Sequence, residues 1–283
     1  MTNVKEIKRR ILSMDNVIKT TEAMKMISTL KLKKVKELLH HVQTYLNDMQ
    51  LIFSNFSSTL DIYFYKKTCR YFFHKNRSKS LLIFITSNRG LCGSFNSLIF
   101  EKVNQLIKEK NGKKYVLFSI GKKGNEFILN NKFHRAKIHH FSFENYDLFF
   151  QDLTKLFFNR FDSIYFIYNK LQTSMHVETI VEKILPISIQ QFPYQKNQIP
   201  PILGSSKKKI INFLIEKLLI LKCKKFFLHS SSSEHTERMI SMHKASENAK
   251  DIKENLIINY NKERQYLITK EILEIVGGLE SLK

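Results

Sequence analysis

The ten residues Ser87-Asn88-Arg89-Gly90-Leu91-Cys92-Gly93-Ser94-Phe95-Asn96 follow a short apolar run and precede a helix-like stretch. Glycine-rich loops that hold phosphate occur in this setting, because backbone N–H groups at a helix start favour anions. The segment lacks the Gly-Lys-Ser/Thr ending of a P-loop and the three-glycine spacing of a dinucleotide fingerprint, so it reads as a structural strand-to-helix turn. Cys92 within it carries a potential nucleophile, yet no base partner can be inferred, and the thiol reads as a packing group. Metal binding at His40-His41, or at His134, His139 and His140, needs carboxylate or sulfur ligands that the sequence does not bring together. These histidines read as a solvated helix face and a strand edge. Glu234-His235 and Glu237-Arg238 stand at helical spacing and read as surface ion pairs rather than acid/base machinery. No catalytic residue, cofactor site or metal site emerges.

Composition narrows the classes of function. A chain of 283 residues with 43% hydrophobic residues can bury a substantial core. The formal net charge of +22 favours an acidic partner, whether nucleic acid, an anionic membrane or an acidic protein face. Lysine, asparagine, isoleucine and phenylalanine are plentiful throughout, however, so the charge is spread rather than gathered on one arginine- and aromatic-rich element. A basic coiled-coil protein that binds nucleic acid is therefore the alternative reading. Cys69, Cys92 and Cys223 lack the paired spacing of a zinc or redox site and favour a reducing compartment. No secretory signal is evident at the start, and no apolar run approaches the ~20 residues needed to span a bilayer.

The elements that must position these residues fall into three parts: 1–60, an N-terminal helix; 61–204, a central α/β domain with linkers; and 205–283, a C-terminal helix. Residues 1 to 89 contain no glycine or proline. Apolar residues recur there in a four-three rhythm at Ile7, Ile11, Met14, Ile18, Leu32, Val35, Leu39, Val42, Leu46, Met49, Phe53 and Phe56, a heptad seam. Thr21, Lys25 and Ser28 interrupt it, which fits a register shift, a buried polar pair or a contact surface. In the middle, Leu81–Thr86, Tyr115–Ile120, 137–143 and Ser163–Tyr168 read as strands, alternating with helices from Phe95 to Lys110, up to Asn130, and over Tyr146–Asn159. That alternation predicts a small Rossmann-like α/β sheet with crossover connections. All four prolines, at 186, 193, 200 and 201, mark its exit.

Residues 205 to 276 again contain neither glycine nor proline, and they predict one helix opened by Ser205 and Ser206 and stopped at Gly277 and Gly278. At 1.5 Å per residue it would be roughly 100 Å long and would need a partner helix. The N-terminal helix can supply that partner only by running antiparallel. Met242, Ala245, Ala249, Ile252 and Leu256 read as the matching seam, and Ile268, Ile272, Ile275 and Val276 are left over as an exposed apolar tip.

Three stretches then carry a resemblance: KEIKRRILSMDNVIKTTEAMKMISTLKLKK, SNRGLCGSFN and SSEHTERMISMHKASENAKDIKENLIINYNKERQYLITKEILEIVGG. In this order they closely resemble the gamma subunit of F-type ATP synthases. Ser94 stands where that family often has a second glycine, which bears on the turn's conformation. The serine run Ser230 to Ser233 replaces a more alanine-containing stretch and lowers helix propensity locally, so a kink or a frayed turn is an expectation there.

The resemblance implies a non-catalytic rotor shaft that couples proton or other ion flow through the membrane sector to ATP synthesis. It implies that the paired helices stand inside a ring of alpha and beta subunits. It further implies that the α/β domain contacts the epsilon subunit and the membrane rotor ring of c subunits, with one copy per complex and no nucleic acid. By motif, Met24 and Arg238 fall where the shaft faces the catalytic subunits, and Arg264, Gln265 and Thr269 where it meets a beta-subunit loop. The resemblance favours contact for the interrupted seam, whose neighbours Lys25, Lys31, Lys33 and Lys34 could face acidic residues. The expected location is peripheral, on the cytoplasmic side of a bacterial inner membrane.

Overall fold

The computed structural model describes residues 4–57, 70–72, 79–109, 114–133, 146–173, 176–187 and 206–280. The expected strand at 137–143, the histidines at 134, 139 and 140, Cys69 and three of the prolines lie outside them. Helix α1 spans Val4–Ser57. Strand β1 (Lys79–Ile85), helix α2 (Phe95–Lys108), strand β2 (Lys114–Ile120) and helix α3 (Lys122–Asn130) follow. After them come α4 (Tyr146–Asn159), β3 (Ser163–Leu171), β4 (Val177–Leu185) and α5 (Lys207–Glu280). The chain forms two compact units, Met1–Thr29 with Arg238–Lys283 and Leu30–Glu237, so both long helices contribute to each.

Among the described residues, the unit Leu30–Glu237 is built on a four-stranded sheet of order β2-β1-β3-β4. β1 pairs parallel with β2 and with β3, while β3 and β4 pair antiparallel. β1 is buried on both sides and reads as a continuous apolar run, as expected for a strand with helices on both faces. Its side chains alternate between two cores. Leu82 and Phe84 meet Phe95, Ile99 and Val103 of α2 and Ile128 of α3. Leu81, Ile83 and Ile85 join Phe149 and Leu153 of α4, Phe226 and Phe227 of α5, and Leu46, Met49 and Phe53 at the end of α1. Phe227 stands edge-on to Phe149 and to Phe166 at centroid distances of 5.9 and 6.3 Å. Each such fully buried ring contributes on the order of 2–3 kcal/mol of burial free energy, which secures this part of α5 to the sheet.

The unit Met1–Thr29 with Arg238–Lys283 contains an antiparallel helix pair. Lys25 hydrogen-bonds His243 Nδ1 at 3.2 Å, Glu22 accepts from Ser246 and pairs with Lys250, and Asp15 pairs with Lys253 at 2.7 Å. Partner numbers rise on α5 as they fall on α1, which fixes the direction. On α1 the heptad positions Ile7, Ile11, Met14, Ile18, Thr21, Lys25 and Ser28 are all buried or half-buried. Lys25 and Ser28 therefore remain in register, and no shift occurs there.

Three expectations need correction. α5 does not stop at Gly277 and Gly278 but continues to Glu280. Neither glycine has a positive φ, and both lie in open space, so nothing forces the left-handed turn that would end a helix. The serine run does not fray or interrupt the helix, and it is packed: Ser230, Ser232 and Ser233 are all buried. Ser233 Oγ donates to the Asn169 carbonyl at 3.1 Å, and Thr236 Oγ1 to the Ser232 carbonyl at 2.9 Å. Ile252 is 48% exposed and lies off the seam, which runs through Met242, Ser246, Ala249, Lys253, Leu256 and Tyr260 at strict four-three spacing.

Candidate functional site

The strand-to-helix turn between β1 and α2 lies at the C-terminal ends of parallel strands, where open α/β sheets receive ligands. Here that position is filled by the chain itself. Thr86 N–H donates to the Ile120 carbonyl at 2.7 Å, and Thr86 Oγ1 both donates to that carbonyl and accepts from Gly124 N–H at 2.9 Å. A Cβ on Gly121 would meet the Thr86 carbonyl oxygen at 2.2 Å, and one on Gly124 would meet Thr86 Oγ1 at 2.7 Å. These glycines thus serve close packing between the β1 and β2 ends.

Within the turn, Ser87 N–H donates to Asn96 Oδ1 at 3.1 Å, and Asn96 Nδ2 donates to Ser87 Oγ at 2.8 Å and to Cys92 Sγ at 3.2 Å. Asn88 Oδ1 accepts from Lys122 N–H. Leu91 and Gly93 take left-handed backbone angles, whereas Ser94 is right-handed at φ −79 and ψ −1, so a side chain there is accommodated without strain. Ser94 Oγ donates to Glu237 of α5 at 3.4 Å, which sets a carboxylate of the chain itself beside the α2 start. The turn is a structural junction, as its sequence suggests. Cys92 is 3% exposed inside it.

Asn169 is the hub that the sequence reading missed. It is fully buried on β3, donates from Nδ2 to the Phe95 carbonyl at 2.8 Å and accepts at Oδ1 from Thr179 Oγ1 at 2.7 Å. Its one visible signal is a carboxamide inside the otherwise apolar run SIYFIYN.

Titratable groups gather where α5 covers β3 and β4. Tyr168 donates to Glu182 at 3.2 Å and stacks on Phe226 and His229. Burial raises the Tyr168 phenol, reinforced by the Glu182 charge. Burial pushes Cys223 up to about 12, so it stays a thiol. Burial, then Lys225 and Lys170, hold His229 down at about 4. Burial also lowers Lys222 and Lys225, and Lys170 adds to the second. Burial is the first cause throughout, which marks a packed contact rather than a tuned acid/base pair. Among the described residues, no cluster of His, Cys, Asp or Glu could hold a metal ion. His40 and His41 are both exposed.

The five residues singled out by motif all lie in the helix-pair unit. Met24 is half-buried and adjoins Lys25, which bonds His243. Arg238 is only 9% exposed, so with Glu237 engaged by Ser94 this stretch is no solvated face of surface ion pairs. Arg264, Gln265 and Thr269 are exposed, and Thr269 Oγ1 donates to the Gln265 carbonyl at 3.0 Å. Lys31, Lys33 and Lys34 are exposed as well. Glu22 is held below its ordinary carboxylate range by its hydrogen bond and charge contact with Lys250, whose own value rises in return. Beyond Gln265, Ile268, Leu273 and Ile275 are 45 to 65% exposed.

A family model described as ATP synthase matches residues 3–282. An ATP synthase gamma chain from Flavobacterium johnsoniae is 36% identical over 287 residues, covering 100% of this chain and 99% of the relative. The chain belongs to the ATP synthase gamma-chain family. A gamma chain from Geobacter sp. (strain M21) is 30% identical over 292 residues, with 100% of both chains covered. The fold agrees with that of a chain in the Euglena gracilis mitochondrial ATP synthase (OSCP/F1/c-ring), at a TM-score of 0.64 and 17% identity, covering 99% of this chain and 95% of the other. A chain of the Tetrahymena thermophila central stalk/c-ring structure gives 0.55 at 21% identity, covering 80% and 99%. As a gamma subunit of an F-type ATP synthase the chain is non-catalytic, and the activity belongs to the assembly. Among the described residues, no helix is long and apolar enough to cross a membrane.

Proposed function

We propose that the chain is the rotating shaft that couples ion flow through the membrane sector to ATP synthesis on a ring of alpha and beta subunits. The observation that carries this reading is the apolar end of α5, where Tyr266, Leu267, Ile268, Ile272, Leu273, Ile275 and Val276 are 40 to 65% exposed around the helix. A helix with large exposed apolar side chains on several sides, interspersed with Lys270, Glu271 and Glu274, needs an enclosing partner, and a ring of other subunits provides one without a specific pocket. Met24, Arg238, Arg264, Gln265 and Thr269 are the contact residues toward that ring. The sheet-bearing part engages the epsilon subunit and the ring of c subunits, with one copy of the chain per complex. The complex is attached peripherally at the cytoplasmic face of a bacterial inner membrane. The segments 1–60, 61–204 and 205–283 divide the work into helix, sheet domain and helix.

Purification through a tag on this chain tests the reading. Alpha, beta and epsilon subunits are expected to accompany it, with alpha and beta each in threefold excess over the chain. A chain recovered alone from membranes that contain assembled ATP synthase overturns it.

A further inference from the structure

In the family turn, Ser87 to Asn96, the polar side chains of Ser87, Asn88, Ser94 and Asn96 are committed within the chain. Asn169 grips its end, since Asn169 Nδ2 donates to the carbonyl of Phe95, the first residue of α2. The same carboxamide accepts from Thr179, its direct partner in β4. The Asn169 carbonyl, two residues past the last β1–β3 pair, accepts from Ser233 of α5. From above, Glu237 accepts from Ser94, the residue before Phe95. One residue and one turn thus hold α2, β4 and α5 together.

Position along α5 gives this arrangement its meaning. From Ile211 to Leu228 the helix is held chiefly by apolar packing, with one hydrogen bond from the Tyr71 hydroxyl to Glu216 at 2.9 Å. Such packing is strong but non-directional. From Ser230 the buried face changes to hydroxyls, Ser230, Ser232, Ser233 and Thr236, and at Ser233 and Glu237 the helix is tied directly to Asn169 and to the turn. Glu237 is the last residue of its unit. Hydrogen bonds at two successive turns of a helix add a directional restraint on rotation about its axis to that of the interlocked apolar side chains. Asparagine suits the hub because one side chain of that size both donates to a carbonyl and accepts from a hydroxyl.

We propose that the turn is a collar that fixes the rotational setting of α5, with Asn169 as its positioning residue, so that torque on the sheet passes into the helix without slip. This rests on the rotor reading above. Ser233→Ala combined with Glu237→Ala removes these ties at a small and a half-buried position and leaves the aromatic core intact. In the purified and reconstituted holoenzyme, normal assembly and ATP hydrolysis are expected, with several-fold less proton pumping per ATP hydrolysed. Amide hydrogen exchange over residues 229–237 is expected to quicken by about fivefold, the factor that loss of one ordinary hydrogen bond corresponds to. Glu237→Gln, which keeps an acceptor for Ser94, should pump like the unaltered enzyme, while Asn169→Leu should pump less, as the double variant does. Pumping per ATP unchanged in the double variant overturns the collar while leaving the rotor reading in place. An unaltered chain that never enters the complex overturns both.

Discussion

Gly121 and Thr86 meet so closely that a side chain has no place between them. Gly121 has φ 112, and a Cβ there would lie 2.2 Å from the Thr86 carbonyl oxygen. Gly121→Ala combines backbone strain with overpacking against main chain and is expected to cost about 2–4 kcal/mol in urea unfolding of the purified subunit. Gly90→Ala, with nothing within 4 Å, should stay within ~0.5 kcal/mol. His229 gives a second expectation. Its folded value is depressed to about 4 by burial and by Lys225 and Lys170, whereas the unfolded chain titrates near the ordinary 6.5. Between those values the unfolded chain binds the proton that the folded chain refuses, so this contribution to stability is present above pH 6.5 and is lost as pH falls toward 4. Discounted for partial exposure, the loss is about 1–2 kcal/mol. His229→Gln should flatten that part of the melting-temperature profile. At this scale little of the junction was legible beforehand. The turn declares itself by Gly90 and Gly93, but Asn169, Thr179 and Ser233 are far apart in sequence, and only the strand register brings them together.

In the helices, periodicity carried most of the information. The α1 seam was readable at position after position because the heptad sites from Ile7 to Phe53 are buried or half-buried, including Thr21 and Ser28, whose hydroxyls bond carbonyls of their own helix, and Lys25, which bonds His243. On α5 the apolar pattern misled at Ile252, since the facing position is Lys253, which pairs with Asp15. Met242→Ser and Ile252→Ser separate the two frames. Met242 is 4% exposed on the seam, so its loss should cost about 2–4 kcal/mol, while Ile252→Ser should change stability by under ~0.5 kcal/mol. Thermal melting of the purified subunit distinguishes them, and equal losses would restore Ile252 to the seam. Strand β4 escaped notice for a related reason. Among the described residues it is an edge strand whose Glu178, Glu182 and Lys183 break the apolar run, a common protection against edge-to-edge pairing that also hides the strand from pattern reading. The helix stop at Gly277 and Gly278 failed because glycine permits a left-handed turn without compelling one.

Across the whole molecule, the apolar surface of α5 is divided between packed and unpacked lengths. Its first turns bury Ile211, Leu214, Leu218, Phe226 and Phe227, whereas from Tyr266 onward the large apolar side chains lie exposed. Exposed apolar surface on that scale invites self-association unless a partner covers it, so its survival argues that the chain functions within an assembly. Two truncations weigh the parts of that surface. Removing Gly277 to Lys283 deletes one described large apolar residue, Leu279, together with two glycines that lower helix stability. Removing Ile268 to Lys283 also deletes Ile268, Ile272, Leu273, Ile275 and Val276, which are 45 to 65% exposed. If these side chains are the bearing surface against the ring, the shorter cut should leave assembly and coupled pumping close to those of the full chain, and the longer cut should lower pumping several-fold. Quantifying assembled complex by native gel, and pumping per ATP in reconstituted vesicles, separates loss of assembly from loss of coupling. Equal behaviour of the two truncations in both measurements would remove the apolar end of α5 from the mechanism.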